Sequence, residues 1–238
     1  MAVKKKSSVF IIILVILLAA GGYLYLNANS LIVSTTERIA SNALGVPVKI
    51  GSINFSLADK SITVNTLKIG NPPGYKQPNI ITADSIAIGL NTASQKLVDF
   101  KNIEVKGVNV YFEMTPQGTN LTDLKKMAAG KKQTESTGSE AVRVIVQKMV
   151  IGASTIHPSI AILNRDIPAI TMPAVNVSGI GQKNGGSDAK DVIVQVLTQY
   201  LTATQQAVAN SGVLKQLPNM GDAKKLLNDN TGKLKKLF

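Results

Sequence analysis

From Val46 onward, apolar residues recur at every second position, the period of strands that bury one face. Val48 and Ile50 alternate, then Ile53 and Phe55; Ile62 and Val64, then Leu67 and Ile69; Ile86, Ile88 and Leu90. Ile103 and Val105 lead to Val108, Val110 and Phe112, and Val142, Val144 and Val146 lead to Met149 and Ile151. No helix holds such a pattern, so a sheet must carry most of this chain.

Several runs share a defect. Their parity slips by one residue at Gly51-Ser52, Asn65-Thr66, Lys106-Gly107 and Gln147-Lys148. In a straight strand each slip would throw the later side chains onto the opposite face. A β-bulge, with one extra unpaired residue, restores the face and bends the strand. Repeated across neighbouring strands, such bulges would curl the sheet. A tight turn between very short strands is the other reading, and Gly51-Ser52 suits it. The expected fold is a β-rich α+β domain: an N-terminal transmembrane helix, a curled antiparallel sheet with bulged strands, and C-terminal amphipathic helices.

An apolar sheet face needs a cover. Leu31–Leu44 reads as a helix stopped by Gly45 and Pro47, Asn120–Ala129 as a short one, and Asp191–Ala209 as a fuller one. In the last, Ile193, Val196, Leu197, Tyr200, Leu201 and Val208 fall near one side. Either this helix closes the sheet, or the concave face stays partly open to an apolar ligand. Lys131–Ser139 reads as a surface loop, and Ser178–Lys190 as a linker rich in glycine.

Ahead of the strands, Val9–Leu26 runs eighteen residues without a charge. As a helix it would span roughly 27 Å, near the thickness of a bilayer's hydrocarbon core. Lys4, Lys5 and Lys6 precede it, and Tyr23 and Tyr25 sit at its far end, where amphipathic rings favour the interface. By the positive-inside rule the remainder lies outside the cytoplasm. The run is longer than a signal peptide's apolar region, and Asn27-Ala28-Asn29-Ser30 offers Ala28 without a small partner two residues earlier. The expected organisation is a basic stub 1–8, a signal anchor 9–26, a connecting helix 27–45, a β domain 46–180, a linker 181–190 and a helical segment with a basic tail 191–238.

The formal charge of +12 gathers beside these hydrophobic ends: six lysines stand between Val213 and Phe238 against Asp222 and Asp229. Aromatics make up only 4% of the chain, too few to interleave a basic surface for base stacking. The expected partner is therefore membrane lipid, not nucleic acid.

Little in the sequence supports catalysis. There is no cysteine, hence no disulfide, thiolate metal site or thiol nucleophile, and His157 is the only histidine. No G-x-S-x-G elbow accompanies it, the carboxylates Asp59, Asp84, Asp99, Glu104 and Glu113 are scattered, and Gly179-x-Gly181 lacks the Gly-Lys-Ser/Thr of a phosphate loop. Glu113 reads as a surface residue at a strand end, and Asn120-Leu121-Thr122 as a chance glycosylation triplet. No enzyme, cofactor or metal site is expected.

The anchor followed by Leu44-Gly45-Val46-Pro47-Val48, Ile53-Asn54-Phe55-Ser56 and Ser61-Ile62-Thr63-Val64 resembles the N-terminal region of the AsmA family of bacterial envelope proteins. Leu67-Lys68-Ile69-Gly70-Asn71-Pro72-Pro73-Gly74-Tyr75, Ala83-Asp84-Ser85-Ile86, Gly107–Glu113 and Gly118-Thr119-Asn120-Leu121 continue the resemblance, which covers about Met1 to Lys126. Late-embryogenesis-type β-sandwich domains, which also place an Asn-Pro turn after an anchor, are the nearest rival. The AsmA resemblance implies an inner-membrane anchor, a periplasmic bulk, and non-enzymatic handling of lipid acyl chains in envelope biogenesis or intermembrane lipid transport, with phospholipid bound. The expected lipid-lining residues are Ile53, Phe55, Ile62, Val64, Leu67, Ile69, Ile86, Ile88, Val105, Val108, Val110 and Phe112. The alternative is a tethered scaffold with a closed β core that works through an envelope protein partner.

Overall fold

The computed structural model describes residues 29–56, 58–94, 96–130, 143–160, 167–182 and 185–213. The expected anchor 9–26, the loop around Lys131–Ser139 and the basic tail beyond Val213 lie outside the described residues. Among those described, no helix is long and apolar enough to cross a membrane.

Helix α1 (Asn29–Leu44) opens the described chain. Gly45, at φ 77°, ends it by donating its N–H to the Ser41 carbonyl at 2.8 Å. This left-handed C-terminal cap suits glycine, which has no Cβ to clash. Then come β1 (Val48–Ser56), β2 (Ser61–Gly70), β3 (Asn79–Ala93), β4 (Leu97–Lys106) and β5 (Val108–Thr115). The short β6 (Gly118–Thr119) leads into α2 (Asn120–Gly130). β7 (Arg143–Ile151), β8 (Ser154–Ile160), β9 (Ile170–Met172), β10 (Val175–Ile180) and β11 (Ser187–Asp188) precede α3 (Ala189–Asn210).

All eleven strands belong to one sheet. Three pairs of segments act as single long strands: β4 with β5, β7 with β8, and β9 with β10. Across the junction of β4 and β5 the pairing with β3 keeps one register, from Gly89 opposite Asn102 to Ile81 opposite Val110, and β7 and β8 follow β4 and β5 in another. The sheet therefore has six principal positions, running from β1 at one edge to β9 and β10 at the other.

The sheet is mixed, which corrects the antiparallel expectation. β4 runs parallel to β7 and β5 parallel to β8. Between β5 and β7 the chain passes through α2 instead of a hairpin, and a crossover that returns to the starting end makes the next strand parallel. β11 and the first turn of α3 occupy part of the expected linker 181–190, and Ser178–Ile180 are strand residues of β10.

The parity slips align across the sheet. Ile50 pairs with Leu67 and Ser52 with Asn65, so Gly51 faces Thr66. Leu67 pairs with Ala83 and Asn65 with Ser85, which puts Thr66 beside Asp84. Ser85 pairs with Lys106 and Thr82 with Asn109, setting Asp84 beside Gly107. Val105 pairs with Ile151 and Val108 with Ser154, and the break between β9 and β10 falls opposite Gly152 and Ala153. Pairing thus lapses along one transverse line, which β1, β2 and β3 cross unbroken and at which the other three positions divide into two segments. Thr66 (φ 55°) and Gly107 (φ 65°) turn left-handed on it.

Register is constant across this line between β1 and β2, so the slips at Gly51 and Thr66 are not the one-sided bulges expected from the sequence. They are matched reversals, and because neighbours reverse together the apolar face is preserved. Register does shift on a second line, between Gly89 and Leu90 opposite β4. The Gln147-Lys148 slip falls here, beside Ser178 and Gly179 (φ 69°).

Candidate functional site

The first line divides the inner face into two panels. Towards the Asn71–Pro78 loop lies one panel: Val48, Ile69 and Ile81 align across β1–β3, and Val110, Ile156 and Ile170 continue the row. Towards the β1–β2 and β3–β4 turns lies a hairpin panel. There Ile53, Val64, Ile86, Val105, Ile151 and Val175 form one row across all six positions, and Phe55, Ile62, Ile88, Ile103, Met149 and Val177 form the next.

The twelve expected lipid-lining residues all belong to this one aliphatic face. Eight of them (Ile53, Ile62, Val64, Ile88, Val105, Val108, Val110 and Phe112) are buried, at 8% exposure or less. Phe55, Leu67, Ile69 and Ile86 are half-buried against them. The panel beside the Asn71–Pro78 loop is closed most fully on β5 and β8, while Ile50, Leu67, Ile69 and Ile170 stay half-buried on it. Val108, Val110, Phe112 and Met114 of β5, Ser154, Ile156 and Ile160 of β8, and Met172 of β9 are all buried there. α1 packs against β1, α2 against β5, and α3 against β7 to β11, so that α3 also covers the β7, β10 and β11 part of the hairpin panel; the helices also touch one another. Tyr200, Leu201 and Val208 of α3 share the core with these strands.

The hairpin panel is less evenly covered. Phe55, Ile86, Leu90, Ile103, Met149 and Val175 remain half-buried among buried neighbours. Four of these six were absent from the expected lining set, although Leu90, Ile103 and Met149 carry the same alternation.

A polar clamp holds the far end of the sheet. Glu113 is 5% exposed, not the surface residue expected of a strand end. Its Oε1 accepts the Asn71 side-chain amide at 2.7 Å and the Gln77 N–H at 2.8 Å, while Oε2 accepts the Lys76 N–H at 2.8 Å. Asn120, fully buried, accepts the Glu113 N–H at 3.0 Å and donates to Asn71 Oδ1 at 3.0 Å and the Tyr111 carbonyl at 2.7 Å. A buried carboxylate is tolerable only when donors surround it, and here three do so. Because Asn120 is enclosed, its glycosylation triplet is shielded from solvent.

Tyr75 extends the clamp by donating its hydroxyl to Asp123 Oδ2 at 2.8 Å. Burial, then that carboxylate, pushes the phenol above its ordinary range. Thr119 caps α2 by accepting the Thr122 N–H at 3.3 Å. The prolines and glycine of Asn71–Tyr75 were legible only as a turn; the Glu113 carboxylate that Asn71, Lys76 and Gln77 share was not.

His157 lies on the outer, polar face. Its ring stacks on Tyr111, with centroids 5.0 Å apart, and its Nε2 is 3.1 Å from Asn109 Oδ1. No serine or carboxylate hydrogen bond to it stands among the described contacts. Among the described residues no group of three or more His, Asp or Glu side chains could hold a metal ion. No family model matches this chain, and neither a curated protein nor a solved structure matches it.

Proposed function

We propose that this protein is a membrane-tethered, non-enzymatic module of AsmA-like character that handles lipid acyl chains on the periplasmic side of the inner membrane. The resemblance through Lys126 and the charge-free run Val9–Leu26 motivate the setting. The observation that carries the activity is the set of half-buried apolar side chains on the hairpin panel of an open sheet. Each acyl methylene brought out of water there would contribute about 0.8 kcal/mol. A few methylenes therefore suffice for useful binding, and no polar chemistry is required. The lining set is narrower than the sequence implied: Phe55, Ile86, Leu90, Ile103, Met149 and Val175 face the lipid, whereas Val108, Val110 and Phe112 serve the core.

The experiment is extraction of the full-length chain under gentle conditions, followed by mass spectrometry of co-purified phospholipid. Ile86→Asp and Ile103→Asp should lose lipid while the chain stays folded, and Val110→Asp should unfold it. Lipid-free wild-type protein would sink this reading.

A second reading, a tethered scaffold acting through an envelope protein partner, is favoured by one specific observation: eight of the twelve expected lining residues are already buried. Unchanged function of Ile86→Asp and Ile103→Asp in cells would support it.

A further inference from the structure

α1 lies along the free edge of β1, and its direction can be read from three contacts. Ser41 Oγ accepts the Val48 N–H at 2.8 Å. One helical turn earlier, Glu37 Oε1 accepts the Ile50 N–H at 2.8 Å, while its Oε2 meets Lys49 Nζ at 3.0 Å. Four residues back along the helix correspond to two residues forward along the strand, each step about 6 Å. Helix and strand are therefore antiparallel, and Val33, another turn earlier, packs against the core.

Continuing past Glu37, the start of the helix at Asn29 lies about 12 Å further on, towards the end of β1 and its turn into β2. The charge-free run ends at Leu26, three residues before Asn29. At this same end the Leu90 N–H donates to the Lys60 carbonyl at 2.9 Å, tying the β1–β2 turn to β3. Ser61 pairs with Gly89, and β3 continues to Ala93, about 13 Å past that level. Thr92, Ala93 and Ser94 are exposed, as are Ala58 and Lys60. The Asn71–Pro78 loop, the Glu113 clamp and the Pro116-Gln117 turn stand at the opposite end.

We infer that the hairpin end of the sheet faces the bilayer, with the β3–β4 turn at headgroup level and the clamp end directed away. This rests on the reading of Val9–Leu26 as an anchor. The exposed side chains at the two turns are small or basic (Ala58, Ala93, Lys60, Lys96), with Asp59 bonded to Ser56. Such a surface suits anionic headgroups. The orientation also sets the half-buried aliphatics of the hairpin panel on the membrane side, where an acyl chain would enter.

The chain contains no cysteine, so single labelling sites can be introduced directly. Ala58→Cys and Ala93→Cys report on the hairpin end; Pro73→Cys and Gln117→Cys report on the clamp end. All four positions are exposed. Each full-length variant, fluorescently labelled, would be reconstituted into vesicles of phosphatidylethanolamine and phosphatidylglycerol carrying a nitroxide on the headgroup. The expected result is loss of fluorescence at positions 58 and 93 and retention at 73 and 117. Equal quenching at both ends, quenching at neither, or the reverse pattern, in protein that stays with the vesicles after a carbonate wash, overturns the orientation and leaves the tether standing. Protein released by that wash overturns the tether and the orientation with it.

Discussion

The carboxylate of Asp84 fills the space in which a Cβ on Gly107 would have to sit. The two residues are side by side on the line along which strand pairing lapses, and Gly107 is left-handed there at φ 65°. Close approach and backbone conformation make the same demand, so the joint between β4 and β5 has a sequence requirement that apolar patterning does not express.

Gly107→Ala should destabilise the fold by about 1–2 kcal/mol from the left-handed backbone alone, with more from the displaced Asp84. Urea denaturation measures the sum, and Asp84→Ala in the same background should recover only the steric part. A Gly107→Ala midpoint equal to wild type would show that the joint does not constrain the sheet.

Removing the Glu113 carboxylate should release the Asn71–Pro78 loop. Glu113→Ala leaves buried donors on Asn71, Lys76 and Gln77 without their acceptor, at a cost of about 1–3 kcal/mol for each one that water cannot reach. Glu113→Gln keeps one oxygen but aims an N–H₂ group at a backbone donor, so it too should destabilise. Hydrogen exchange at the Lys76 and Gln77 amides should accelerate in both variants; unchanged protection would mean the clamp is dispensable.

At the β1 edge, Glu37→Ala should expose the Ile50 N–H and cost about 1 kcal/mol, the usual net contribution of such a bond. Lys49→Ala should change stability by well under that amount, since Lys49 is 71% exposed and its ion pair is solvent-screened. An uncapped edge strand is also a template for intermolecular pairing, so light scattering should show Glu37→Ala aggregating sooner than wild type. Equal loss in the two variants would contradict an edge-capping role.

Burial pushes the Tyr200 phenol up to about 12, partly offset by its hydrogen bond to Ser154. In the unfolded chain the phenol ionises near 10. Between those values the native state keeps a proton that the unfolded state has released, so stability falls as pH rises through the interval. The loss attributable to Tyr200 is about 2–3 kcal/mol. Tyr75, also raised, acts in the same direction. Tyr200→Phe should therefore flatten, without abolishing, the alkaline decline in urea-derived stability; an identical slope would refute the assignment.

Much of the scaffold was written in local pattern. Alternation located β1, β2, β5 and β7 and parts of β3 and β4, but not β6 or β8; Gly45 and Pro47 ended α1, and Asn120 began α2 where expected. The slips at Gly51, Thr66 and Gly107 were visible individually, but their lying on one line depends on strand pairing, which no local window contains. Parallel pairing was hidden for a similar reason. α2 looked like a cover for the sheet, and nothing in its sequence told that it was also a crossover. Glu113 was misread because its three donors come from a loop some forty residues earlier, and a carboxylate looks like a surface residue until they are in place.

By itself, the order of residues determined the β-rich character, the single aliphatic face and the helices available to cover it, because period and capping act over a few neighbours. Tertiary structure alone decided which aliphatic side chains became core and which stayed half-open, and on which line the strands reverse together. Burial and register depend on what the rest of the chain brings alongside, and the same valine is wall or filling according to the helix that lands on it.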